Sequence, residues 1–148
     1  MAGKKFRFSL ANVLRLRQYE SEQARQELAR RLQAREAQVQ AVRAAEEALQ
    51  ALLTQPAATS VRGPQHFARQ QSAWAAAQRA IDAAHKVLAQ RNTDVDQARA
   101  ELQKRQRTEE TLDTLREQEH ARYKQEVFQA ETAFLDEQAV LGFSRKTL

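Results

Sequence analysis

His66, His85 and His120 are the side chains of this sequence best suited to proton transfer or metal ligation near neutral pH. They are scattered, and none has a second ligand-type neighbour at a metal-binding spacing, so no metal site is expected. Two carboxylate pairs come next. Glu109 with Glu110, and Asp136 with Glu137, are adjacent in sequence and so point to different sides of a helix. They are read as solvated faces rather than a converging acid and base. The chain has no cysteine, which excludes disulfides and thiolate chemistry, and its three glycines form no phosphate-cradling loop. Catalysis, cofactors and metals are therefore all expected to be absent. Trp74 is the one large side chain with two readings, either the core between helices or an incompletely covered anchor for a partner.

The elements that would carry these residues are long helices. From Phe67 to Leu141 the sequence holds neither proline nor glycine, and few structures other than a helix tolerate that. Within this stretch Phe67, Trp74, Ile81, Leu88, Val95 and Leu102 recur every seven residues, with Ala77, Ala84, Ala98 and Leu112 interleaved. This is a heptad seam, which buries one narrow stripe against another helix. Upstream, Leu10, Leu14, Ser21, Ala24, Leu28, Leu32, Val39, Val42, Leu49 and Leu53 follow spacings built from three and four, with polar breaks at Arg17 and Arg35. Pro56 and Pro64, with Gly63 between them, are the strong punctuation and mark a reversal.

The expected fold is all-α, an antiparallel two-helix coiled-coil hairpin. Its parts are an amino-terminal arm over residues 1–9 with Ser9 as N-cap, a first helix over 10–55 and a turn over 56–64. A second, longer helix over 65–141 and a tail over 142–148 follow. Counting outward from Ser60 sets Leu53 near Phe67, Val39 opposite Ile81, Leu32 opposite Leu88 and Leu14 near Arg105. Helix 1 then runs out. Leu115, Tyr123, Val127, Phe128, Phe134, Leu135 and Leu141 are left as an apolar surface that calls for a partner.

Composition supports this reading: among 148 residues, 28 are Ala and 20 are Gln, with 29% charged and two prolines. Alanine buries little area, so a rounded, layered core is hard to build. The net charge of +5 hides an acidic segment, because residues 113–141 hold seven Asp or Glu against three Lys or Arg. Elsewhere the signs alternate, as on a solvated helix face. The longest uncharged run, Ala48 to Val61, is too short to span a bilayer. Arg15 and Arg17 interrupt the apolar start, so no targeting peptide is expected.

Both ends of the chain resemble the FliJ family of the bacterial flagellar type III export apparatus. The opening Phe6-Arg7-Phe8-Ser9-Leu10, followed by Val13-Leu14-Arg15-Leu16-Arg17, is similar to the family's amino end. Phe134-Leu135-Asp136-Glu137, with Arg145-Lys146 after it, is similar to its closing motif. The middle is generic coiled coil. The resemblance implies a non-enzymatic, cytoplasmic stalk peripheral to the inner membrane, which sits in the ring of the export ATPase FliI and reaches the export gate protein FlhA. It also implies action with export chaperones. On this reading Phe8, Leu10, Leu14, Arg17, Phe128, Phe134, Leu135, Asp136 and Glu137 contact the ATPase, and Trp74 and Ile81 contact the gate. Rival readings are the stalk of a virulence-type secretion system, or a basic coiled coil that binds nucleic acid or, through Lys4 to Phe8, a membrane surface.

Overall fold

The structure is a computed structural model and describes residues 3–55 and 63–147. It contains two helices, α1 (Ala11–Leu53) and α2 (Pro64–Lys146), packed against each other as a helical hairpin, with no strand among the described residues. Most of the expected turn, residues 56–62, lies outside the described residues. Pro64 opens α2, and the His66 amide donates to the Gly63 carbonyl at 3.0 Å. A proline is tolerated there because the first amides of a helix have no partner to lose.

Three local expectations are corrected. Ser9 makes no capping bond; the Ala11 amide instead donates to the Phe8 carbonyl at 3.2 Å, so a backbone turn starts α1. α1 ends at Leu53 rather than residue 55, where the Thr54 hydroxyl bonds back to the Gln50 carbonyl at 2.9 Å. The second helix does not stop at 141 but runs through Gly142 to Lys146. One glycine costs about 1 kcal/mol in a helix. That is too little to end one whose last turn carries Arg145 and Lys146 toward its negative pole.

The contacts form two compact units. One comprises Glu22–Gln103, where Val42, Ile81, Val95 and Ala98 are buried and Val95 is only 1% exposed. Long polar side chains cross this seam to helix carbonyls, which keep a second lone pair free. Arg31 Nη1 donates to the Asp94 carbonyl and Gln38 Nε2 to the Ala84 carbonyl, each at 2.9 Å. Such bonds tie the two helices together across the seam. Leu53 and Phe67, expected to pair near the turn, are both exposed. A two-helix seam has no third neighbour to cover a large ring.

The other unit comprises residues 1–21 with Lys104–Leu148. Phe8, Leu14 and Ser21 are buried in it. Its register differs from the symmetric count, since Arg105 lies opposite Glu20 at 3.0 Å, and Val13 shares an open groove with Thr108, Thr111 and Leu112. Leu14 is thus set beyond Arg105 along α2, and the Glu20 carboxylate is held between Arg17 and Arg105 at this register.

Candidate interaction site

The surface left by helix 1 is smaller than the sequence implied, because the amino-terminal arm covers its near end. Residues 3–8 are irregular and lie on α2. Phe6 packs edge-on to His120 with ring centroids 4.8 Å apart, and tilted to Tyr123 at 5.6 Å. The Tyr123 hydroxyl donates to the Lys4 carbonyl. Aromatic contacts of this geometry are worth roughly 0.5–1.5 kcal/mol beyond the area they bury. Leu115 and Tyr123, expected bare, are consequently half-buried, as is Val127. The signal for this was present in the alternation Lys4-Lys5-Phe6-Arg7-Phe8, which places two rings two residues apart, but nothing in the sequence showed what they would cover.

Past Val127 nothing among the described residues covers α2. Phe128, Phe134, Leu135, Val140, Leu141 and Phe143 are exposed by 57–72%. Val127, Phe134 and Leu141 stand seven residues apart and so share one face of the helix, with Phe128 and Leu135 beside them. Asp136 and Glu137 are exposed on this segment. None of the acids Glu126, Glu131, Asp136 and Glu137 has an ion-pair partner among the described residues.

The remaining residues expected at a partner surface fall into different roles. Phe8 and Leu14 are buried and Leu10 is half-buried, so they hold the arm and the first turn of α1 in place. Arg17 is turned onto Glu20 at 2.8 Å, and its hydrogen bond, seconded by Arg105, holds the Glu20 carboxyl below the usual range. Ile81 is buried between the helices and is not available to a partner in this conformation. Trp74 is half-buried, and its indole nitrogen has no hydrogen-bond partner among the described residues. The two residues assigned to one docking site are therefore separated, Ile81 within the seam and Trp74 at its edge. Tyr19, Val140 and Phe143, exposed apolar residues that the sequence reading did not single out, belong to the unit of residues 1–21 with Lys104–Leu148, as does exposed Leu16.

His66, His85 and His120 do not converge, and no group of acids and histidines able to hold a metal occurs among the described residues. His85 lies 3.5 Å from Glu46 and His120 lies under Phe6. Many of the arginines are paired along their own helix, including Arg25, Arg30, Arg91, Arg99 and Arg116 at 3.2–3.9 Å from Asp or Glu. Local pairing of this kind breaks up a cationic face. No helix among the described residues is long and apolar enough to cross a membrane.

A two-helix hairpin whose arm is folded onto one helix, and whose carboxyl-terminal segment is an uncovered apolar stripe, defines a coiled-coil interaction protein. The family model described as "Flagellar FliJ protein" matches residues 6–148, and the chain belongs to that family. No curated protein and no solved structure matches it. Membership makes this a flagellar export-associated coiled-coil protein, of a family whose members are structural rather than enzymatic.

Proposed function

We propose that the protein is the stalk of the flagellar export apparatus, with its carboxyl-terminal segment and arm engaging the ring of the export ATPase FliI and its Trp74 edge engaging the export gate protein FlhA. The observation that carries this reading is the exposed stripe of Phe128, Phe134, Leu135 and Leu141. A soluble surface seldom leaves so much contiguous apolar area open unless another protein covers it. Phe134 and Leu135 are the apolar anchors, and Asp136 and Glu137 supply polar register. Phe8, Leu10 and Leu14 act by holding the arm and α1 against α2, and Arg17 by fixing Glu20. Toward the gate, Trp74 supplies the contact and Ile81 holds α2 beneath it. The protein works at the cytoplasmic face of the inner membrane, held there through the apparatus, and in company with export chaperones.

Loss of one desolvated aromatic anchor commonly costs about 2 kcal/mol or more. An exposed charge is worth well under about 1 kcal/mol. Phe134→Ala is therefore expected to impair stimulation of FliI turnover by the full-length protein much more than Asp136→Ala, with the free hairpin's melting unchanged. Equal stimulation by Phe134→Ala and the parent protein would remove this segment from the ATPase contact.

A further inference from the structure

We propose that the uncovered stripe of α2 over residues 128–141 binds an extended, cationic and aromatic-bearing segment of its partner, laid along the helix in line with the chain's own amino-terminal arm. This rests on the reading of the stripe as a partner surface and adds the chemistry of what it takes. The arm itself shows the binding mode. It lies on α2 as irregular chain, anchors Phe6 against His120 and Tyr123, and is tied by the Tyr123 hydroxyl to the Lys4 carbonyl. Lys4, Lys5 and Arg7, between and beside the rings, stay exposed. The arm runs antiparallel to α2, so a chain continuing past Lys4 would meet Val127 next.

The surface continues without a break. Tyr123, Val127, Phe134 and Leu141 recur at spacings built from three and four, so the face that receives the arm is the face left bare. Its rims are acidic. Glu126 and Glu137 fall on one flank, eleven residues and thus about three turns apart, and Glu131 falls on the other. Glu126, Glu131 and Glu137 have no ion-pair partner among the described residues, as is also true of Glu109, Glu110, Glu117 and Glu119, so their carboxylates are open to a cationic ligand. Between Lys124 and Leu141 one lysine faces four acids. Apolar anchors bracketed by unpaired carboxylates suit a chain that alternates large apolar and cationic residues. A second copy of the same segment suits them poorly, because either orientation sets acids against acids. An anionic lipid surface is repelled by the same rims.

The test uses the full chain labelled with nitrogen-15 and, as probe, a synthetic peptide with the sequence of residues 4–10. Saturable shifts are expected across residues 126–141, weakened at least tenfold by Phe134→Ala and by the double variant Glu131→Lys with Glu137→Lys. All three substitutions lie at exposed positions, and unchanged helicity confirms that they leave the fold intact. Shifts confined to residues 116–123, which report exchange with the resident arm, would overturn the proposal. So would equal binding of a peptide whose Lys and Arg are replaced by Gln. Self-association by sedimentation that Phe134→Ala abolishes would assign the stripe to a second copy instead. Turnover of FliI separates the two readings. If Phe134→Ala lowers stimulation and the charge-reversed protein does not, the partner surface stands and its cationic chemistry fails. If neither lowers it, the assignment of the face to the ATPase fails, and the peptide titration alone decides the chemistry.

Discussion

The two compact units solve the problem of a narrow seam in opposite ways. In the unit of Glu22–Gln103, small and branched residues are buried and long polar side chains bond across to helix carbonyls, as Arg31 does to Asp94 and Gln38 to Ala84. That unit closes its centre, and its open places include the Trp74 edge and the exposed Leu53 and Phe67 near the turn. In the unit of residues 1–21 and Lys104–Leu148, aromatic residues do the covering, and the chain supplies too few of them. Phe6 reaches as far as Tyr123, and beyond half-buried Val127 the same face is exposed through Leu141. The difference teaches that a helical pair closes on small, branched and leucine side chains at the seam, with few of them fully buried. Large exposed aromatics signal an interface still to be made.

The sharpest way to break this comparison is truncation. A chain ending at Lys124 keeps the arm's platform and loses the stripe, so stimulation of FliI should be abolished while thermal melting by circular dichroism stays close to that of the full chain. Ending at Leu112 removes the platform too and should also destabilise what remains of the unit of residues 1–21 with Lys104–Leu148. If the chain ending at Lys124 stimulated as well as the parent, the aromatic excess would need another explanation.

Within the unit of Glu22–Gln103, Ile81→Ala removes a buried side chain from a seam with few others to share the loss. A cost of about 2 kcal/mol is expected, the low end for such truncations because a two-helix pair can close over part of the cavity. Urea unfolding should show it, with FliI stimulation unchanged below the shifted midpoint. A smaller effect is expected for Phe6→Ala, which loses the contacts to His120 and Tyr123. Amide exchange over residues 116–123 should speed up severalfold while the amides of Glu22–Gln103 are unaffected. Uniform acceleration would mean that the arm stabilises more than its own platform.

The smallest effect concerns Glu20. The Arg17 hydrogen bond, then the nearby charges of Arg17 and Arg105, depress its folded-state pKa, so its contribution to stability is complete above the ordinary carboxylate range. It is lost as pH falls through the depressed folded value. Glu20→Gln should therefore flatten the acid side of the melting profile slightly and leave the profile at neutral pH nearly parallel to the parent's. An unchanged acid limb would show that the pair is as well satisfied in the unfolded chain.

What the sequence determined by itself was everything that depends on period and punctuation. The run without proline or glycine from Phe67 made a long helix unavoidable, the seven-residue spacing of Ile81, Leu88 and Val95 chose its buried face, and Pro64 marked its start. The uncovered stripe at Phe134 and Leu135 was also legible, because a first helix expected over 10–55 cannot cover a second expected over 65–141. Tertiary structure alone decided the rest. That the arm folds onto Tyr123, that Arg105 meets Glu20 and not Leu14, and that Ile81 is sealed while Phe67 is exposed all depend on contacts between residues far apart in sequence. Periodicity says which face of a helix is apolar, and only the partner brought against it says how far that face is covered.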